Sequence, residues 1–154
     1  MKYLFKPPYN SFIFLLFLLL YSLIGSRYID AGNDYQSKIL ENESPTSMFW
    51  LFLIGSFVET LIFNLLLNYI FRKQKLIYIK NYLIIIICSI TFGFAHFSTF
   101  KFLIITFIAG IVFNLNFYIY LKYYKNYIIA TFSTFLLHFF SNFFTYTIAY
   151  LINK

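Results

Sequence analysis

Five apolar runs alternate with polar segments along the chain, at about Ser11–Ile24, Met48–Phe71, Tyr82–Phe97, Phe102–Tyr120 and Tyr127–Ile152. A helix crosses a bilayer in roughly 17–25 residues, and flanking aromatics can extend the shorter first and third runs. A backbone in lipid must satisfy its hydrogen bonds within its own span. The pattern therefore predicts an all-α, polytopic membrane helix bundle of about five transmembrane helices, folded as a single membrane domain over 1–154.

The runs are not uniformly apolar. In the fifth, Thr131, Thr134, His138, Ser141, Asn142 and Thr145 recur at spacings of three and four, which draws one polar stripe along a helix. His138 and Asn142 stand at i and i+4, so their side chains share a face. The third run carries Ser89, Gly93 and His96, and the fourth Thr106, Gly110 and Asn114, both faces suited to close helix approach. In the second, Gly55 and Ser56 precede Glu59 by one turn, while Thr60, Asn64 and Asn68 form an adjoining ridge.

Composition sharpens the class. Of 154 residues, 61% are hydrophobic, 25% aromatic and 11% charged. Soluble domains are about 45–50% apolar and about 25% charged, so an ordinary soluble domain is excluded. The net charge of +7 would suggest nucleic acid in a soluble chain. Here the cations sit between apolar runs, as the positive-inside rule expects, and the implied partner is the lipid bilayer rather than nucleic acid. Lys2 and Lys6, then Arg72, Lys73, Lys75 and Lys80, then Lys122 and Lys125 fall on one face of a five-span topology. That places the N-terminus in the cytoplasm. The segment 26–47, net acidic with Asp30, Asp34, Glu41 and Glu43 against Arg27 and Lys38, then lies outside with the Ser98–Lys101 link and Lys154. Lys2, Lys6 and Pro7-Pro8 resemble the start of a signal peptide. Without a clean small-x-small cleavage site, an uncleaved first helix is expected. Cys88 is the lone cysteine, which rules out a disulfide framework and a thiolate metal cluster.

Three ionisable residues lie inside the runs: Glu59, His96 and His138. Burying such groups in a bilayer is costly, so each marks a functional site by default. At ~1.5 Å of rise per residue, these three and Asn142 sit roughly 17–23 Å above the cytoplasmic boundary, within about one turn of a common plane. A carboxylate and an imidazole can take a proton from water as it attacks a carbonyl. A second imidazole and a carboxamide can donate to the oxyanion that forms. Glu59, His96 and His138 could equally be metal ligands if a metal is present, although no H-E-x-x-H occurs. The expectation carried forward is a site without cofactor or metal.

At these residues the chain resembles the CAAX protease and bacteriocin-processing superfamily, also called the Abi or type II CAAX prenyl endopeptidase family. Its signature reads E-E-x-x-x-R, F-x-x-x-H and H-x-x-x-N or H-x-x-x-D. The second part is matched by Phe92-Gly-Phe-Ala-His96 and the third by His138-Phe-Phe-Ser-Asn142. The first is partial: Glu59 leads, Thr60 replaces the second glutamate and Asn64 the arginine. The resemblance covers about Trp50–Tyr146, within a motif-bearing core at about 48–152. It implies a glutamate-dependent intramembrane endopeptidase in which Glu59 activates water with His96, while His138 and Asn142 stabilise the oxyanion. Thr60, Asn64 and Phe92 would support the site.

By the same resemblance the substrate is a peptide or protein at the membrane, of the bacteriocin or pheromone precursor type. The location implied is a bacterial cell membrane, in keeping with the Ile/Asn/Lys/Phe-rich composition. The competing reading is a non-catalytic bacteriocin self-immunity or peptide-binding protein on the same fold, which the altered first motif favours. A transporter or haem-binding subunit using His96 and His138 leaves Glu59 and Asn142 unexplained.

Overall fold

A computed structural model describes residues 6–28, 45–73 and 81–152. No strand occurs among them; they form an all-α membrane helical bundle of five rods. Helix α1 spans Tyr9–Tyr28. The second rod is composite: α2 covers Pro45–Glu59, a π-helical stretch covers Thr60–Leu66, and α3 covers Leu67–Lys73. Helices α4 (Asn81–Ala95), α5 (Phe100–Tyr124) and α6 (Tyr127–Ile152) complete the bundle. Three stretches are long and apolar enough to cross a membrane: Thr46–Arg72, Phe100–Tyr124 and Tyr127–Ile148. Tyr9–Tyr21 and Asn81–Ala95 are shorter apolar helices. The charged residues Lys2, Asp30, Asp34, Lys38, Glu41, Glu43, Lys75, Lys80 and Lys154 lie outside the described residues.

Two boundaries differ from the hydropathy pattern, each for a local reason. The third run was expected to stay helical to Phe97, but α4 ends at Ala95, and His96 begins a tighter turn with its N–H on the Gly93 carbonyl. The fourth helix runs beyond Tyr120 to Tyr124, where Lys125 takes a left-handed conformation (φ 53°) and returns its N–H to Leu121. The side chain of Asn126 then accepts from the N–H groups of Ile128 and Ile129, as an N-cap does. Thr99 caps α5 in the same manner, accepting from Phe102.

Polarity is distributed inside out. Along the second rod Ser56, Thr60, Asn64 and Asn68 are buried, while Trp50, Leu51, Ile54 and Phe57 are exposed. In water that arrangement would be strongly unfavourable. In lipid it is the stable one, because apolar side chains face the tails and polar ones bond between helices.

Steps of four residues drift by about 40° along an α-helix, which would carry a four-membered ridge round toward lipid. The π-helical stretch, in which the N–H of Leu67 reaches back to Ile62, turns less per residue and keeps the ridge facing inward.

Helix α4 lies along α5, α5 along α6, and α1 packs on both α5 and α6. The α4–α5 contact is close because glycines occupy it. A Cβ on Gly110 would stand 3.2 Å from Ser89 Cα, and one on Gly93 would stand 3.2 Å from Phe107 Cβ. Helix α1 is fastened by polar contacts: Asn10 donates to Asn116 (3.0 Å), and Asn116 donates to Thr134 on α6 (3.2 Å). The second rod leans on α6 through α2, whereas its π-helical stretch touches α4, α5 and α6. It is thus held on one side above Glu59 and on three sides below it.

Candidate active site

Glu59 is the last residue of α2, at the junction with the π-helical stretch. Its Oε2 lies 3.3 Å from Nε2 of His96 and 3.4 Å from Nε2 of His138. One carboxylate oxygen therefore faces two imidazoles supplied by α6 and by the turn after α4. Asn142, one turn beyond His138, lines the same cleft and donates to Ser56 Oγ at 3.3 Å. The structure thus brings Glu59, His96, His138 and Asn142 to one place.

Each imidazole is held in its own way. His96 Nδ1 is 2.8 Å from the carbonyl of Phe92, one turn earlier on α4. A carbonyl can only accept, so Nδ1 carries a proton and Nε2 is the nitrogen presented to Glu59. A lone pair on Nε2 facing a carboxylate would repel it. The 3.3 Å separation puts Nε2 and the carboxylate within reach of one shared proton. His138 is buried, with its ring 4.2 Å from that of Phe113. Among the described residues its Nδ1 has no hydrogen-bond partner, which leaves Nε2 as its polar contact.

Phe92 stands between the two imidazoles, 4.4 Å from the ring of His96 and 5.7 Å from that of His138. It belongs to the apolar cluster with Phe14, Leu18, Val112, Phe113 and Leu137. The orientation of both bases is thus set by packing as well as by hydrogen bonds. The other two supporting candidates, Thr60 and Asn64, are buried below Glu59, and neither lines the cleft.

The cleft encloses about 480 Å³ and has predominantly apolar walls, with the polar groups converging at Glu59. A space of that size accepts a peptide segment or small ligand. Two of its walls were not expected from the sequence. Leu18 and Tyr21 bring in α1, and Phe113 contributes the ring against His138. Phe113 did carry a signal, since it follows Gly110 by three residues on the small-residue face of α5. The α1 residues carried none.

Among the described residues, no group of three or more His, Cys, Asp and Glu side chains has the arrangement to hold a metal ion.

A family model described as type II CAAX prenyl endopeptidase Rce1-like matches residues 41–144, a span that includes all four converging residues. No curated protein and no solved structure matches the chain significantly.

Proposed function

The chain belongs to the Rce1-like type II CAAX prenyl endopeptidase family, and on that footing we propose that it is an intramembrane endopeptidase whose Glu59 activates water. One observation carries the reading: a single oxygen of Glu59 is flanked by two imidazoles at 3.3 and 3.4 Å in a cleft that Asn142 also lines.

In this mechanism a water enters between Glu59 and His96 and gives up a proton as its oxygen attacks the scissile carbonyl carbon. The Glu59–His96 pair holds that proton. The carbonyl oxygen, now an oxyanion, receives hydrogen bonds from His138 Nε2–H and Asn142 Nδ2–H. Asn142 exchanges its bond to Ser56 for one to the oxyanion. When the tetrahedral intermediate collapses, the C–N bond breaks and the stored proton passes to the leaving amine. The products are a carboxylic acid and an amine, with nothing else consumed but water.

The substrate proposed is a membrane-associated peptide of the bacteriocin or pheromone precursor type. The location is a bacterial cell membrane, with the N-terminus cytoplasmic. The charge pattern supports that orientation, because Lys6, Arg72, Lys73, Lys122 and Lys125 share one face of the five-span topology.

The second reading, a non-catalytic immunity or peptide-binding protein, is favoured by the neutral pair Thr60 and Asn64, each of which has a buried polar atom without a partner among the described residues. Reconstituted wild type and Glu59→Gln, offered the same candidate precursor peptides, separate the two. Cleavage lost in the variant supports the peptidase. Full biological function in Glu59→Gln at normal expression overturns it in favour of the binder.

A further inference from the structure

The second rod carries polar residues at every fourth position from Ser56 to Arg72: Ser56, Thr60, Asn64, Asn68 and Arg72. Below Glu59 this ridge is buried yet incompletely bonded. Thr60 Oγ1, Asn64 Nδ2, Asn68 Oδ1 and the Nε and Nη2 of Arg72 are all enclosed, and none has a hydrogen-bond partner among the described residues. Orphaned polar atoms are rare in a folded interior, since each costs the loss of its hydration. Five of the seven buried unpartnered side-chain atoms among the described residues fall on this one ridge.

Among the described residues, no side-chain hydrogen bond joins one member of the ridge to the next. Side chains four residues apart on a helix stand about 5–6 Å apart at Cβ. At that spacing a water can bridge neighbouring polar side chains that do not bond directly. The unpartnered groups also alternate in polarity, and a water can donate to or accept from each of them. A hydroxyl at Thr60 is followed by a donor at Asn64, an acceptor at Asn68 and donors at Arg72. The opposite wall is polar too, with Asn114 accepting from Asn68 at 3.1 Å and donating toward Ser89 at 3.4 Å. Helix-to-helix glue accounts for the Asn68–Asn114 bond but leaves the five orphaned atoms unexplained.

We propose that this ridge binds a file of internal waters running from the Arg72 guanidinium to the Thr60 hydroxyl, and that the file hydrates the Glu59 site from below. This rests on the peptidase reading for its purpose and on the orphaned atoms for its existence. The cleft is lined by residues of the second rod up to Glu59 and by none beyond it. A peptide filling the cleft would block the approach of water from above. The ridge supplies the reaction from the other side, while the peptide bond is held in place. A site that consumes one water per bond cleaved then has separate routes for its two substrates.

Two measurements on the full chain test this. A structure at a resolution that reveals ordered solvent should show water density within hydrogen-bond distance of Thr60 Oγ1, Asn64 Nδ2 and Asn68 Oδ1. Finding these atoms bonded directly to protein groups, with no density between them, overturns the proposal whatever the enzymology shows.

The second is kinetic. Asn64→Leu with Asn68→Leu, apolar and near in size, should lower kcat by about tenfold or more with KM nearly unchanged, because it removes bridging water and not peptide contacts. Unaltered kcat in a folded double variant also overturns it. If Glu59→Gln retains function, the peptidase reading fails, and the solvent density still decides whether the waters are there.

Discussion

His96 presents to Glu59 the nitrogen that its own backbone leaves free: Nδ1 is bound to the Phe92 carbonyl at 2.8 Å, and Nε2 stands 3.3 Å from the carboxylate. That link fixes the tautomer before any substrate arrives. It also ties the position of the base to the last turn of α4, and so to the packing of Phe92.

Replacing Glu59 with Gln preserves shape and removes the base on which the proposed mechanism depends. Turnover of a cleavable precursor peptide should fall by roughly two to four orders of magnitude, while peptide affinity changes little. Single-turnover cleavage alongside a binding isotherm on the same preparation checks both halves.

Ser56 is expected to act through Asn142. Asn142→Ala should cost about a hundredfold or more in kcat through the lost oxyanion donor. Ser56→Ala, which removes only the acceptor that holds the amide, should cost about tenfold or less. The double variant should be no slower than Asn142→Ala alone, since the two act as one unit. Additive losses in the double-mutant cycle would separate Ser56 from Asn142.

The sequence made the convergence of Glu59, His96, His138 and Asn142 legible, because ionisable groups in apolar runs are conspicuous and helical rise converts spacing into depth. It also marked the small-residue faces around Gly93 and Gly110, which the structure places in close contact. Other features left no local trace. Leu18 and Tyr21 reach the cleft only because α1 docks on α5 and α6, a choice of neighbour that hydropathy does not encode. The π-helical stretch Thr60–Leu66 was equally hidden, since its residues read as an ordinary apolar helix. His96 was expected inside a helix and stands one residue beyond its end, which frees its ring to turn toward Glu59.

Glycine substitutions should separate packing from chemistry. Gly110→Ala places a Cβ 3.2 Å from the Ser89 backbone and 3.1 Å from the Phe92 ring, and should destabilise the fold by about 1–3 kcal/mol. Gly55→Ala meets nothing within 4 Å and should be neutral or stabilising by about 0.5–1 kcal/mol. Thermal unfolding of both variants in the same detergent should rank them in that order.

Asn116→Leu should loosen α1. It strips partners from Asn10 and Thr134, which are fully buried, at a cost of about 1–3 kcal/mol. Protease sensitivity or hydrogen exchange in α1 should rise ahead of that in α4 and α5.

Orientation can be read from two exposed links. With Cys88 replaced, a cysteine at Ser98 should react with an impermeant reagent in intact cells, and one at Lys125 should not. Labelling at Lys125 alone would invert the topology.

The π-helical stretch has a mechanical consequence for the second rod. Its wider turn amounts to one inserted residue, so α2 and α3 meet out of phase by about 100°, the rotation of a single α-helical residue. Deleting one residue between Thr60 and Leu66 would restore a continuous α-helix and swing Asn68 and Arg72 round toward the tails. With the stretch in place, the phase offset keeps Asn68 on the same buried side of the rod as Ser56.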